Sequence, residues 1–120
     1  MFKTEPYAFA SCGQCFGAEN LPWPPLSFTK ILKAEPGENF EFFKMVWDVR
    51  GEAVFILKLE DKVLGSAHIG PIPSCDAKVF AEPLVVRSGQ QLSLEIGAAR
   101  PMSHAEACIV LWGRRLKEEG

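Results

Sequence analysis

Apolar and polar residues alternate along much of this chain from Phe28 onward. Within residues 91–97, Leu92, Leu94 and Ile96 fall on one side of an extended backbone, and the polar residues between them fall on the other. Alternation with a period of two predicts half-buried β-strands. Seven strands are predicted in this way: 28–34, 39–49, 53–60, 62–69, 77–86, 91–97 and 105–115.

Short segments rich in Gly, Pro and polar residues separate these strands. Residues 34–43 and 86–96 share one design, in which a tight turn with Gly at its end is followed by two polar residues and then alternating apolar ones. Turn signals recur about every ten residues, which is typical of an all-β sandwich or barrel. The predicted fold is a single antiparallel β-sandwich, jelly-roll or Ig-like, of about seven or eight strands.

Two local predictions accompany this fold. The short loop around Gly51 predicts that strands 39–49 and 53–60 form a hairpin. A helix is hard to place, because the best candidate, residues 99–107, is short and contains Pro101.

Residues 1–27 differ from the rest of the chain, because they carry Pro6, Pro22, Pro24 and Pro25 and show little periodicity. Proline favours an extended path, yet a solvated linker would not carry so many aromatic residues. The predicted organisation is an extended N-terminal arm (1–27), a β-sandwich domain (28–116) and a charged tail (117–120). Apolar residues of the arm are predicted to contact the domain surface or a neighbouring chain; they are Phe2, Tyr7, Phe9, Phe16, Leu21 and Trp23.

Strands 39–49 and 105–115 are apolar on both faces. A sandwich strand needs only one apolar face, so the second face is predicted to be covered by the arm or by another subunit. Trp47 and Trp112 lie in these strands, which favours core or subunit contacts over sugar stacking. Arg114 and Arg115 end the last strand and could pair with carboxylates of a neighbouring chain.

Composition narrows the class of protein. The chain has 120 residues, 48% of them hydrophobic, and a formal net charge of −2 with both signs interspersed. This describes one globular domain without the basic surface that nucleic acids require. No apolar run is long enough to span a membrane, and the N-terminus lacks the features of a signal peptide. We therefore expect synthesis in the cytosol and four cysteines that are thiols rather than disulfides.

Little in the chain points to catalysis. Cys12 and Cys15 form a Cys-x-x-Cys pair, which could be two ordinary thiols, half of a structural zinc site or a disulfide; the thiols are favoured because no second pair with metal-ligand spacing follows. Cys75, Asp76 and His68 surround one loop, but nothing like a nucleophile elbow accompanies them. We therefore predict a protein without catalytic or cofactor-binding residues, with Cys12 and Cys15 as weak metal candidates.

The layout of an apolar arm, turn-led strands and a last strand ending in Ile109-Val110-Leu111-Trp112-Gly113-Arg114-Arg115-Leu116 resembles the small β-sandwich virion proteins of tailed bacteriophages. The resemblance is to head decoration (cement) proteins in particular. It implies a non-enzymatic virion protein that is assembled in the host cytoplasm and contacts the major capsid protein or other virion subunits. It also implies a homo-oligomer, with a trimer favoured, and an arm that laces over a neighbour.

Two other functions remain open. A carbohydrate- or ligand-binding sandwich module, for example of a tail or fibre, would present a concave site lined by aromatic side chains. A cupin-type enzyme would need several metal-binding histidines, whereas this chain has two, His68 and His104.

Overall fold

The computed structural model describes residues 2–16, 28–69, 74–98 and 104–118. Eight strands occupy nearly all of them. They form two antiparallel four-stranded sheets, in the orders β1-β8-β3-β6 and β2-β7-β4-β5. The predicted all-β sandwich is therefore confirmed. The strands are β1 (Phe2–Phe16), β2 (Phe28–Lys33), β3 (Glu38–Arg50), β4 (Ala53–Leu59), β5 (Lys62–Ile69), β6 (Ser74–Val86), β7 (Gln91–Ala98) and β8 (His104–Glu118).

The strand pairs are nested. β4 pairs with β5, β3 with β6, β2 with β7 and β1 with β8, all antiparallel. This is the pattern of one long hairpin folded over so that successive pairs fall in alternate sheets, which is a jelly roll. Of the two topologies that the sequence allowed, the structure has the jelly roll. The described residues contain no helix with the length and hydropathy needed to cross a bilayer.

The core lies between the two sheets. Leu92, Leu94 and Ile96 of β7 are fully buried, as their alternation predicted, and face Ile109 and Leu111 of β8 across the sandwich. β1 packs against β2 and β7, which closes the sandwich on that side. The largest fully buried side chains are Phe42, Leu92, Leu94, Ile96, Ile109 and Leu111.

The N-terminal segment is part of the sandwich as far as residue 16. β1 pairs with β8 along its whole length, from Phe2 opposite Glu118 to Phe16 opposite His104. Phe9 is only 3% exposed. The prediction of an extended backbone is confirmed for residues 2–16. The prediction that these residues form an arm outside the domain is wrong. Pro6 fits because β1 is an edge strand, where a missing N–H donor costs little.

Two further predictions need correction at strand ends. The charged tail was predicted to begin at residue 117, but Lys117 and Glu118 belong to β8 and pair with β1. The helix considered for residues 99–107 does not form over 104–107, which also lie in β8. Residues 17–27, 99–103 and 119–120 lie outside the described residues, and with them the rest of the predicted arm and tail.

The predicted hairpin between strands 39–49 and 53–60 is wrong, because β3 and β4 lie in different sheets. Gly51, with φ of 94°, turns the chain from one sheet to the other. The hairpin forms one connection later, where the two-residue turn Glu60–Asp61 joins Leu59 to its partner Lys62. A short Gly loop therefore marked a crossing between sheets rather than a hairpin turn.

An irregularity shared by three strands of the first sheet shapes the surface. On β3, Phe42 lies opposite Gly113 of β8 and Lys44 opposite Trp112, which leaves Phe43 as an extra residue. On the other side, Phe42 lies opposite Leu84 and Lys44 opposite Val79, which leaves residues 80–83 of β6 without partners on β3. Such a bulge bends a strand and increases its twist. It lies directly beside the cleft described below.

Candidate functional site

The side of sheet β1-β8-β3-β6 that points away from the core is unusually apolar, and we call it the outer face. On β8, Ile109 and Leu111 are buried, so Val110 and Trp112 point outward. The register continues this row across all four strands, from Ala10 through Val110 and Val46 to Ala77. A sandwich that stood alone would place polar residues here.

The next row across the outer face is more exposed. It runs from Ala8 through Trp112 and Lys44 to Val79. Trp112 is 48% exposed and Val79 is 73% exposed. Small alanines on the edge strand leave the indole of Trp112 accessible from the side. The result is a continuous apolar surface, in which Lys44 is the only charged member of the two rows.

Charged residues flank this apolar surface symmetrically along the strands. On β3, Lys44 and Asp48 lie two residues to either side of Val46, and within the described part of the chain neither has an ion-pair partner. On β8, Arg114 and Glu106 lie four residues to either side of Val110. The face therefore presents both signs of charge around an apolar centre.

Arg114 is held in place on this face. Its guanidinium donates to Glu41 Oε2 at 3.0 Å and lies 5.5 Å from the centre of the Phe43 ring. The extra residue in β3 brings Phe43 out of the sheet beside Arg114. Arg114 thus lies at an exposed apolar surface, and its carboxylate partner belongs to its own chain, whereas the sequence suggested a partner on a neighbouring chain.

Arg115 points the other way. It makes ion pairs with Glu38 at 2.5 Å and with Glu5 at 3.0 Å, and Glu38 is buried. These carboxylates belong to its own chain. Arg115 therefore joins β8, β3 and β1 within the sheet, whereas the sequence suggested that it pairs with a neighbouring chain.

Cys12 and Cys108 form a disulfide between β1 and β8 on the outer face. The sequence favoured thiols, because a cytosolic chain seldom keeps disulfides; the pairing of two directly opposite cysteines overrides that expectation. Cys15 is buried on the inner side of β1. Residues three apart on a strand face opposite sides, so Cys12 and Cys15 do not converge on one metal ion.

A second feature is a cleft between the edge strands β5 and β6, where the two sheets stand apart. Its volume is about 500 Å³, which is within the usual range of small-molecule sites. Trp47 and Phe55 line it from the central strands, and a β-carbon added to Gly65 would meet nothing within 4 Å. The other lining residues are Met45, Leu57, Leu64, Ser66, Ala67, Lys78, Phe80, Glu82, Pro83 and Leu84.

The remaining predicted contact residues divide between surface and interior. Phe2 is exposed at the start of β1. Tyr7 and Phe9 pack inside the sandwich, with the Tyr7 ring 4.8 Å from that of Phe40. They belong to the core of their own chain, contrary to the prediction. The side chain of Phe16 and the whole of Leu21 and Trp23 lie outside the described residues.

Of the three residues considered for catalysis, the structure describes the side chains of His68 and Asp76, and each of them contacts a different group. His68 Nε2 lies 2.5 Å from Glu52 Oε1, so its partner is a carboxylate just before β4. The side chain of Cys75 lies outside the described residues. Asp76 accepts a hydrogen bond from the backbone of Ala77 on an exposed strand. Among residues whose side chains are described, no group of three potential metal ligands comes together.

Sequence reasoning missed the cleft because its walls come from strands that are remote in the chain. Phe80 and Leu84 are recognisable as inward positions of a strand, but Pro83 between them was the only sign of the irregularity that opens the edge. The outer face was detectable, since both of its central strands are apolar on two faces.

Comparison with known proteins adds little. No protein-family model matches the chain, and no curated protein matches it. Among solved structures, the chain is similar to the CBM36-1 domain of a multidomain xylanase from the hindgut metagenome of Trinervitermes trinervoides, with a TM-score of 0.42 and 11% sequence identity over 95% of this chain and 99% of that one. Similarity at this level carries no inference about ligand or function.

Proposed function

We propose that this protein is a non-enzymatic assembly protein that binds other protein subunits through its outer face. The observation that carries the proposal is the pair of apolar rows across four strands, with Trp112 half exposed and Val79 largely exposed. Exposed apolar patches of this kind mark interaction surfaces. Tryptophan in particular is frequent among the residues that dominate binding energy at interfaces.

A small-molecule site is not what the outer face offers. It is the side of a sheet rather than a concave pocket, and its centre is made of Val and Ala side chains that cannot hydrogen-bond. An apolar sheet face loses most water when another sheet packs on it. The chemistry of the face therefore suits a protein partner.

The finer proposal is a head decoration protein of a tailed bacteriophage. It rests on the resemblance of the sequence to such proteins, and the jelly roll is a fold used by viral coat proteins among many others. A protein that binds only the assembled shell stabilises it by mass action, and many copies on one lattice strengthen a modest affinity. Because residues 2–16 belong to the sandwich, we do not assign the contact with the shell to those residues.

Sedimentation in the native context tests this proposal. A tagged chain, expressed in its native host cells, should sediment with particles much larger than a monomer, whose mass is 13.3 kDa. Val79→Ser should move it towards the light fractions. Val63→Ser is the matched control, since Val63 is also an exposed valine of an edge strand but lies on the other sheet. A wild-type chain found only in the lightest fractions would contradict the proposal.

The cleft favours a second candidate function, the binding of a small apolar molecule. Three aromatic and several aliphatic side chains line it, and its polar side-chain groups are those of Ser66, Lys78 and Glu82 and the indole N–H of Trp47. Aliphatic walls suit an apolar ligand better than a sugar, whose hydroxyl groups would lose water without gaining hydrogen bonds. This is the ligand-binding alternative raised by the sequence, narrowed to apolar ligands.

Fluorescence titration with the apolar dye Nile red tests the second candidate. Binding should be lost in Gly65→Phe, which fills the cleft, and kept in Gly65→Ala, which leaves room. Equal binding by both variants, or none by the wild-type protein, would remove the candidate. A glycan array that shows specific binding, lost in Gly65→Phe, would instead restore the carbohydrate alternative.

A further inference from the structure

We infer that the partner of the outer face is a second copy of this chain, packed face to face about a two-fold axis that crosses the strands at the level of Val46 and Val110. This inference rests on the proposed function, because it names the partner of the same face. It follows from the order of charges along β3 and β8.

A two-fold axis across the strands reverses the order of the rows. The row of Val46 and Val110 meets itself, and each row above it meets the matching row below. On β3, Lys44 and Asp48 lie at equal distances on either side of Val46. Lys44 of one copy therefore faces Asp48 of the other, and the contact occurs twice.

The outer rows repeat this pattern. Arg114 of β8 lies opposite Glu41 of β3 in one row, and Glu106 lies opposite Arg50 in the row at the other end of the face. The two-fold axis brings Arg114 over Glu106 and Glu41 over Arg50. Each of these charges then faces one of opposite sign. The extra residue Phe43 is what aligns Glu41 with Arg114 in this pattern.

The apolar residues agree with the same arrangement. Val46 and Val110 pack on their own copies at the centre. Trp112 comes to lie over the row that holds the Cys12–Cys108 disulfide of the second copy. Sulfur packed against an aromatic ring is a favourable contact. In the dimer, the Trp112 indole therefore loses water and gains a contact with the disulfide of the second copy.

The size of the face sets the strength of the contact. Four strands at a spacing of about 4.8 Å, and eight residue steps of about 3.4 Å, give a face of about 500 Å² per copy. Two such faces bury about 1,000 Å², which is at the lower limit for a specific interface. We therefore expect a dimer with a dissociation constant of roughly micromolar order.

A partner of one charge sign fits less well. An acidic surface would pair with Lys44 and Arg114 and leave Asp48 and Glu106 facing like charge, and a basic surface would do the reverse. Only a partner with the same alternation of signs pairs with all of them. A second copy supplies this without any further assumption.

A charge swap tests the inference. Sedimentation velocity over a concentration series in the micromolar range should show monomer and dimer for the wild-type chain. Lys44→Asp or Asp48→Lys alone should weaken dimerisation at least about tenfold, because like charges then face each other twice. The double variant Lys44→Asp/Asp48→Lys should return to near the wild-type constant. Lys30→Asp and Asp61→Lys, exposed and off the face, are matched controls expected to have no effect.

The outcomes separate the two proposals. A chain that stays monomeric at every concentration, or a double variant as weak as the single ones, overturns the two-fold arrangement. If either of these results is found but Val79→Ser still shifts the tagged chain from large particles to the light fractions, the outer face binds another protein. In that case only this inference fails. If Val79→Ser changes neither measurement, both proposals fail. Thermal melting of each variant checks that the fold is intact.

Discussion

Gly113 of β8 lies so close to Glu41 of β3 that a β-carbon at position 113 would overlap the Glu41 carbonyl oxygen. The contact occurs next to the extra residue Phe43, where the two strands change register. Glycine is thus required here by the approach of two backbones, and not by a left-handed conformation, since Gly113 is not among the glycines with positive φ. The alignment of the charged rows on the outer face depends on this close approach.

Replacing Gly113 by alanine should therefore lower the free energy of unfolding by about 2–4 kcal/mol, because backbone rather than a flexible side chain must move. Urea unfolding followed by circular dichroism measures the change. Gly65→Ala is the matched control: the added methyl group meets nothing, so its effect should stay within about 0.5 kcal/mol. Equal effects of the two substitutions would contradict this account.

Adjacent arginines should differ sharply in their contribution to stability. Arg115→Ala leaves the buried Glu38 without its cation and should cost about 3–5 kcal/mol. Arg114→Ala removes an exposed pair with Glu41 and should cost less than about 1 kcal/mol. Thermal melting of the two variants in the same buffer compares them directly. An Arg114 variant that is the less stable of the two would reverse our assignment of inward and outward roles.

The disulfide between Cys12 and Cys108 should stabilise the monomer. It links residues 96 positions apart, and loss of such a long closed loop typically costs about 2–4 kcal/mol. Cys12→Ser and Cys108→Ser should have equal effects, and the double variant should add nothing further. Peptide mapping without reduction identifies the linked pair. A thiol at both positions in the purified, non-reduced protein would show that the bond does not form.

Stability and assembly should separate when one core and one surface aromatic residue are compared. Phe42→Ala removes a fully buried ring and should lower the free energy of unfolding by about 3–5 kcal/mol. Trp112→Ser changes a half-exposed residue and should alter unfolding of the monomer by less than about 1 kcal/mol. Its effect should be on dimerisation. Chemical unfolding at a protein concentration below the dissociation constant of the dimer measures the free energy of unfolding of the monomer alone.

Much of the architecture was readable from the sequence. Alternation placed Leu92, Leu94 and Ile96 in the core because a strand buried on one face must repeat every two residues. The turn glycines Gly37 and Gly89 were equally clear, and both adopt positive φ. The two apolar faces of β3 and β8 indicated an apolar surface outside the core, and its cover by another subunit stays a prediction.

Other features escaped because they depend on contacts between remote segments. The sequence of β1 resembles an extended arm because Pro6 and Gly13 weaken its pattern, and only pairing with β8 reveals it as a strand. The Gly51 loop looks like a hairpin locally, but the second sheet competes for β4. Cys12 and Cys108 lie far apart in the chain, so nothing in their spacing indicates that they are opposite each other.

The nested pairing has a consequence for how the chain reaches its native state. Among the paired strands that the structure describes, only β4 and β5 are consecutive in the chain. β1 and β8 pair although they are the first and the last of the eight strands. Closing a longer loop costs more entropy, so we expect pairing to spread outward from the Glu60–Asp61 turn and to reach β1 last. The Cys12–Cys108 bond then forms only on a chain that has already found its register. The disulfide therefore stabilises the chain after it has folded, and it does not direct the earlier pairing of strands.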